Sequence, residues 1–205
     1  RLVEHLVHEA GCSSFGIIAG PENNPDSSIR LHAFTEYVTA AGCTVDAVIP
    51  GTFSYEDGIR GVRLLRERSH TRPDAIVCIN DNMALGALAE LSRGDIAVPS
   101  DIRLSGFDDT VESRCTSPAL TTVRYPLSDM GRTAAAILLD MIAGNTVPEH
   151  TVLETSCIPR ESTMHRSAVR HGAVTGSPRD SEITPDAASL LNGGIHERKR
   201  NERLY

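Results

Sequence analysis

The 205-residue chain has no tryptophan, one lysine among its 20 basic residues, and no long run of apolar residues. Because a membrane-spanning helix needs about 18 or more consecutive apolar residues, the sequence predicts no membrane partner. The opening residues RLVEHLVHEA also lack the charged, apolar and small-residue regions of a secretory signal peptide. A hydrophobic content of 40% and a charged content of 23% are ordinary for a globular protein, which excludes a wholly disordered or fibrous chain.

The sequence also lacks the cysteine patterns that mark disulfide-rich or metal-binding domains. Its five cysteines are widely spaced and form no CxxC pair, which predicts no metal site and a reducing, cytoplasmic location. They are Cys12, Cys43, Cys78, Cys115 and Cys157. The net charge of -7 would repel a phosphate backbone, so the chain as a whole is not expected to bind nucleic acid.

Catalytic motifs are absent as well, so the sequence predicts neither an enzyme nor a cofactor. It contains no GxSxG elbow, no GxxxxGKS or GxxxxGKT loop, no GxGxxG after a strand and no HExxH helix. Asp108 and Asp109 resemble paired acid and base carboxylates, but neighbouring side chains usually point apart. His5 and His8 share a helix face, which we interpret as a surface pair instead of a metal site. A phosphorylated receiver domain would need a lysine at a late strand end, whereas the only lysine is Lys199.

The charge is unevenly distributed along the chain. Residues 165–205 carry seven basic and five acidic side chains, whereas residues 1–164 carry 13 basic and 22 acidic ones. The tail contains Pro178 and a Gly193-Gly194 pair without sustained periodicity, so it is predicted to be mostly disordered. The sequence thus divides into a folded part, residues 1–164, and a tail, residues 165–205.

The folded part alternates short apolar runs with helical patterns. Such runs are typical of strands that are buried on both faces of a parallel sheet. The predicted strands are Phe15–Gly20, Val45–Ile49, Ala75–Ile79 and Ile102–Phe107. The predicted helices between them are Ser27–Ala41, Tyr55–Glu67, which begins with a Ser54 and Asp57 capping box, and Asn82–Ser92. This βαβαβαβ order predicts an α/β fold, with an open parallel sheet and helices on both faces.

Three further segments flank this repeat. A helix is predicted from Pro126 to Ala143, ended by Gly144, and a last strand at Val152–Ile158. The apolar residues of that helix recur at helical spacing and predict one buried stripe. They are Leu127, Met130, Ala134, Ile137, Leu138 and Met141. The opening segment, residues 1–10, follows a helical pattern with no cap before it, which suggests a chain cut at that point.

The carboxyl ends of the predicted strands carry the residues with binding chemistry. In open α/β sheets the ligand crevice lies at these ends, and here they bring Arg30, Phe53, Asn80 and Asp108. A guanidinium, an aromatic ring, an amide and a carboxylate suit a ligand with vicinal hydroxyls and an apolar face. The four residues are therefore predicted to bind a sugar or a nucleoside.

Each of these residues also has a purely structural interpretation. The alternatives are a helix cap for Asn80 or Asp81, a core position for Phe53, local turn contacts for Asp108 or Asp109, and a solvated helix face for Arg30. Their joint placement at successive strand ends favours the binding interpretation.

Several stretches of the chain resemble the lactose-repressor and galactose-repressor family of bacterial transcription regulators. They are FGIIAGPENNPDSSIRLHAF, GTFSYEDG, PDAIVCINDNMALGAL, VPSDIRLSGFDD, SPALTTVRYPLSDMGRTAAAILLDMIAG and IPRESTM, and their order and spacing cover the whole folded part. The resemblance implies the periplasmic-binding-protein type I fold, with an effector cleft between two α/β subdomains. It places Arg30, Phe53, Asn80 and Asp108 in the cleft, and the chain departs from the family at Ala33, where members usually have glycine.

The resemblance also implies a function for the chain. It implies a nearly complete carboxyl-terminal subdomain, a partial amino-terminal subdomain, and the absence of the DNA-binding headpiece. The expected function is binding of a small-molecule effector in a cytoplasmic, sugar-responsive transcription regulator, which contacts operator DNA only through the headpiece. A homodimer is expected, with Asn82–Ser92 and Val111–Pro118 as the shared surface. The alternative is a periplasmic or secreted sugar-binding protein of a transport system.

Overall fold

A four-stranded parallel sheet forms the centre of the computed structural model, which describes residues 1–69 and 71–164. The strands are β1 (Ser14–Ala19), β2 (Thr44–Pro50), β3 (Ala75–Cys78) and β4 (Arg103–Ser105). Their order in the sheet is β2-β1-β3-β4, and every pair is parallel, so the predicted α/β fold class is confirmed. The predicted tail, residues 165–205, lies outside the described residues.

Helices cover both faces of this sheet, with α2 (Pro25–Ala40) on one face and α3 (Tyr55–Arg68) and α4 (Asp81–Arg93) on the other. The other α-helices of the described residues are α1 (Leu2–Glu4), α5 (Val111–Cys115) and α6 (Leu127–Ile142). The predicted capping box is confirmed, because the Ser54 hydroxyl accepts from the Asp57 amide and the Asp57 carboxylate accepts from the Ser54 amide. At the start of α2, the Asn24 side chain accepts from the Ser27 amide and Pro25 takes the first helical position. This proline explains why α2 begins two residues before its predicted start.

Two apolar clusters lie on opposite faces of the sheet, since successive residues of a strand point to opposite sides. One cluster joins Ile18 of β1 to Leu65 of α3 and Met83 of α4, and all three are buried. The other contains Phe15 of β1, whose ring meets the ring of Phe34 edge to face with centroids 5.6 Å apart. The central strands are therefore buried between two layers of helices, and their carboxyl ends remain available for a site.

The opening segment is helical, as predicted, but its second half is a π-helix at His5–Glu9. This turn buries His5, whose Nδ1 lies 2.8 Å from Glu9 Oε2 and whose Nε2 lies 2.7 Å from the Thr163 hydroxyl. The interpretation of His5 and His8 as a surface pair is therefore wrong for His5, which is buried, whereas His8 is exposed. Its physical reason is Thr163, which is distant in sequence and supplies a buried partner for the imidazole.

A second, antiparallel sheet consists of β5 (Thr122–Arg124) and β6 (Ser156–Ile158). The predicted strand Val152–Ile158 is therefore only partly formed, and Val152 itself is 90% exposed. The residue before β5, Thr121, bridges to Ser105 of β4 and accepts a hydrogen bond from the Gly106 amide at 2.9 Å. β4 ends two residues before the predicted Phe107, and the single bridge adds Thr121 to the edge of the parallel sheet.

Thr121 also takes part in a series of short hydrogen bonds with Arg160 and Thr163. Its hydroxyl oxygen lies 2.7 Å from the Thr163 hydroxyl oxygen and accepts from the Arg160 amide at 2.7 Å. Both threonines are fully buried. The bonds connect the π-helical turn, the segment that leads into β5, and the last described residues, and so hold three distant parts of the chain together.

The long helix α6 forms as predicted, one residue shorter at each end, but its apolar stripe is not buried. None of its residues is buried, and Leu139 and Ile142 are 67% and 74% exposed. The prediction of a buried stripe is therefore wrong for the described part of the chain, since a helical period predicts an apolar face without supplying the surface that covers it. Within the described ranges, no helix is long and apolar enough to cross a membrane.

Candidate functional site

The four residues predicted to bind a ligand lie around the carboxyl ends of the parallel strands, and the structure joins them in two pairs. Arg30 Nη1 lies 3.9 Å from Asp108 Oδ1. Asn80 Nδ2 donates a hydrogen bond of 3.2 Å to the carbonyl oxygen of Phe53. The guanidinium thus faces the carboxylate, while the amide holds the loop that carries the aromatic ring.

Arg30 reaches the strand ends from α2. Its Nη1 donates to the carbonyl oxygen of Ile79 at 3.3 Å, and its guanidinium carbon lies 4.0 Å from the centre of the Phe107 ring. The side chain is 31% exposed, so the alternative of a solvated helix face does not describe it. A guanidinium held between a carbonyl, a ring and a carboxylate presents its N–H donors in a fixed direction.

Asp108 follows β4 with a backbone φ of 119°, which an L-residue rarely adopts. Its side chain is partly buried beside Arg30. Burial raises the pKa of Asp108 to about 6, the Arg30 guanidinium opposes this rise, and the Asp81 carboxylate adds to it. Near neutral pH this side chain therefore offers carboxylate oxygens that accept hydrogen bonds from hydroxyl groups.

Asn80 serves as a helix cap and as an anchor for the neighbouring loop. Its Oδ1 accepts a hydrogen bond from the Met83 amide at 2.9 Å, so Asn80, and not Asp81, caps α4. Asn80 and Asn82 both donate to the carbonyl oxygen of Phe53, which stabilises the positive φ of 69° at that residue. A role for Asn80 and Phe53 in contacting a ligand stays a prediction, beside this structural role.

Phe53 is partly buried against the core cluster that contains α3 and α4. A β-carbon added to Gly20, at the end of β1, would collide with the Phe53 ring, so glycine is needed for this close approach. The ring is therefore seated on the end of β1, neither fully in the core nor free in solvent.

Asp81, the carboxylate after Asn80, is fully buried and binds the protein itself. Its Oδ1 accepts from the Thr122 hydroxyl at 2.6 Å, and its Oδ2 accepts from the Thr110 amide at 2.9 Å. Burial raises the pKa of Asp81, and these hydrogen bonds oppose the rise. Asp81 therefore connects the start of α4 to β5 and to the loop after β4.

Sequence reasoning missed two aromatic residues of the site, Phe107 and Tyr125. Their rings stack with centroids 6.1 Å apart and planes 27° apart, and Phe107 also lies against Arg30. Burial raises the pKa of the Tyr125 hydroxyl, and the charge of Asp108 adds to this rise. The available signal was the position of each ring within two residues of the end of a short strand, since Phe53 was selected by a similar position after β2.

A cavity of about 760 Å³ opens beside this cluster. Arg30 and Phe107 contribute to its lining, and its walls also include Ile17, Phe34 and Val77. Phe53, Asn80 and Asp108 are not among the described residues that line it, so it adjoins the site without containing it. Nor do the described residues group three His, Cys, Asp or Glu side chains that could hold a metal ion.

The chain is similar in sequence to bacterial repressors. The model of the periplasmic binding protein-like domain matches residues 3–163. The transcriptional repressor CytR of Escherichia coli strain K12 is 33% identical over 162 residues, which are 78% of this chain and 47% of CytR. The transcriptional regulator CelR of Thermobifida fusca is 35% identical over 165 residues, which are 79% of this chain and 48% of CelR. The chain thus spans about half the length of these relatives.

Solved repressor structures have the same fold. The lac repressor dimer bound to operator and the anti-inducer ONPF matches with a TM-score of 0.74 and 30% identity, over 79% of this chain and 56% of that chain. The Escherichia coli transcriptional repressor AscG matches with a TM-score of 0.73 and 28% identity, over 80% of this chain and 59% of that chain.

Proposed function

Because the chain belongs to the periplasmic binding protein-like domain family, and its relatives are repressors of the lactose-repressor type, we propose that it binds the effector of a transcription regulator. The effector is a sugar or a nucleoside, and the proposed contacts are Arg30, Phe53, Asn80 and Asp108. The chain is the effector-binding and dimerisation part of that regulator. It is not an enzyme and needs no cofactor.

One observation carries this proposal, the half-buried pair of Arg30 and Asp108 across the ends of β3 and β4. A fixed guanidinium supplies donors and a fixed carboxylate supplies acceptors, which is the combination that vicinal hydroxyl groups require. The stacked rings of Phe107 and Tyr125 beside the pair add a flat apolar surface of the kind that contacts the face of a sugar ring or a base.

The regulatory part of the proposal concerns a longer protein. A headpiece outside this chain contacts operator DNA, and effector binding changes that contact through a coupling free energy. The regulator acts in the cytoplasm as a homodimer, whose surface includes α4 and Val111–Pro118. Exposure of 68% at Val111 supports this surface, as does the dimeric lac repressor among the matched structures.

A transport protein that binds sugar outside the cytoplasm is the alternative with the same fold. The matched relatives named above are transcription regulators, which does not favour that alternative.

Calorimetric titration of the full-length regulator tests the effector site. The titrants are a panel of D-ribose, D-galactose, cellobiose, cytidine and adenosine. We expect one titrant to bind, and Asp108→Ala to weaken its binding by about tenfold or more, since losing one partner of a buried hydrogen bond costs about 1–3 kcal/mol. Asp140→Ala, at an exposed carboxylate of α6, is the matched control and should bind normally. Equal affinity of Asp108→Ala and the unaltered protein would reject the site.

A further inference from the structure

Two of the strand ends carry the same arrangement of paired polar residues. Asn80 is followed by Asp81 after β3, and Asp108 is followed by Asp109 after β4. The first residue of each pair belongs to the candidate site, whereas the second binds β5 or its neighbours. The pairs therefore link the site to the segment that runs from β4 into α6.

Asp109 is the more strongly held of the two second residues. Its side chain is only 1% exposed and forms ion pairs with three arginines. Arg114 of α5 approaches to 2.8 Å, and Arg124 of β5 and Arg160, two residues after β6, also bind the carboxylate. These hydrogen bonds hold the pKa of Asp109 below its usual range despite burial, so the group is a carboxylate at neutral pH.

The backbone at this position explains why such a clamp is needed. Asp108 and Asp109 have φ angles of 119° and 54°, both in a region that L-residues rarely adopt. Strained conformations of this kind persist only when the surroundings determine them. Here the Asp108 amide donates to the carbonyl oxygen of Val123 at 2.9 Å, and the Asp109 amide donates to the Thr122 hydroxyl at 3.2 Å.

We propose that Asp109 is a positioning residue: clamped by Arg124 and Arg160, it holds the backbone so that the Asp108 carboxylate faces Arg30. The proposal rests on the proposed function for its meaning, since it makes Arg124 of β5 and Arg160 supports of the effector site. Arg160 additionally donates to the carbonyl oxygen of Leu120 at 2.8 Å, so the same side chain fixes the start of β5.

The geometry of Asp108 can be measured without any effector, through its titration. The charged or titratable groups around it come from three directions: Arg30 of α2, Asp81 of α4 and Tyr125 after β5. Release of the clamp would turn the carboxyl group toward solvent and remove the burial that raises its pKa. The titration of Asp108 therefore reports its position.

Carboxyl-carbon NMR titration of the unliganded protein tests the proposal with two variants of opposite charge. In both Asp109→Asn and Arg160→Gln we expect the pKa of Asp108 to fall by about one unit toward its ordinary value. A direct charge effect predicts opposite shifts, because removal of a carboxylate lowers the pKa of a neighbouring acid and removal of a guanidinium raises it. A fall in both variants supports the clamp, whereas a rise or no shift in Arg160→Gln overturns it.

Arg124→Gln removes another arginine partner of Asp109 and should disturb packing less than Arg160→Gln, because the Arg124 side chain is 50% exposed. It replaces Arg160→Gln if that variant does not fold, and a fall in the pKa of Asp108 is again expected. Glu90→Gln is the matched control, since Glu90 is a carboxylate held by Arg63 and Arg93 between α3 and α4, and the pKa of Asp108 should not change. These measurements use no effector, so failure of the clamp and failure of the proposed effector site are distinguishable.

Discussion

Helices α4 and α6 have similar sequence patterns and opposite environments. Both repeat apolar residues at helical spacing, but α4 buries Met83, Ala87 and Leu91 against the sheet, while none of the residues of α6 is buried. An amphipathic period therefore predicts a helix and its apolar face, but not the surface that covers the face. For α4 that surface is helix α3 together with strands β3 and β4.

In the sheet region, helices bury both faces of the central strands. β1 contributes Phe15 and Ile17 to one cluster and Ile18 to the other, so one strand ties two helical layers together. In α6, by contrast, Leu138 and Met141 are more than half exposed, and no residue of the helix is buried against the rest of the described chain. We expect substitutions to have large effects in the first region and small effects in the second.

The largest expected effect is at Phe15, which is fully buried and packs edge to face with Phe34. Phe15→Ala should lower the free energy of unfolding by about 3–5 kcal/mol, because it removes buried apolar area and leaves a cavity. Urea unfolding followed by circular dichroism measures the change. A loss of less than about 1 kcal/mol would mean that the sheet region is not the stable part of the molecule.

A smaller effect on the free energy of unfolding is expected from the titration of Asp108, which follows β4. With its folded-state pKa raised to about 6, Asp108 binds more protons in the folded than in the unfolded state between about pH 4 and pH 6. Its contribution to stability is therefore full below about pH 4 and is lost as the pH rises through 6. Asp108→Asn cannot ionise, so it should raise the free energy of unfolding by about 1–2 kcal/mol at pH 7 and change it little at pH 4.

Urea unfolding at the two pH values measures this effect. The control is Asp140→Asn, which alters an exposed side chain of α6 and should change the free energy of unfolding by no more than about 0.5 kcal/mol. A stability gain of Asp108→Asn that was equal at pH 4 and pH 7 would contradict the assigned titration.

The smallest effect is expected at Leu139 of α6, whose side chain is 67% exposed. Leu139→Ala should change the free energy of unfolding of the chain by no more than about 0.5 kcal/mol, because little apolar area returns to water. The same urea experiment measures it beside Phe15→Ala. A loss above about 2 kcal/mol would show that α6 is covered in solution and would remove the contrast between the two regions.

Much of the fold could be predicted from local patterns. The apolar runs and the residues between them predicted the parallel sheet, and Ser54 with Asp57 predicted the start of α3, because each signal lies within a few neighbouring residues. The four candidate site residues were found because parallel strands place their carboxyl ends at one edge. Whether these residues touch an effector stays a prediction.

The features that the sequence could not predict depend on distant partners. Burial of His5 requires Thr163, which lies 158 residues away. The choice between Asn80 and Asp81 as the cap of α4 depends on Thr122, which engages the Asp81 carboxylate. Tyr125 belongs to the site because it stacks with a ring that follows another strand.

In the buried hydrogen bonds around Thr121, each contact has a donor and an acceptor. An amide only donates and a carboxylate only accepts, and each hydroxyl has a single proton. When the His5 imidazole is neutral, its single proton lies on Nδ1 and points to the Glu9 carboxylate, so Nε2 accepts from the Thr163 hydroxyl, which in turn accepts from the Thr121 hydroxyl. The Thr121 hydroxyl oxygen accepts from the Arg160 amide, so the row of dipoles then has one polarity and each bond strengthens the next. The row starts at the backbone amide of Arg160, whose side chain binds the Asp109 carboxylate. Moving the His5 proton from Nδ1 to Nε2 would break the row at the imidazole, because Nε2 could then no longer accept from Thr163.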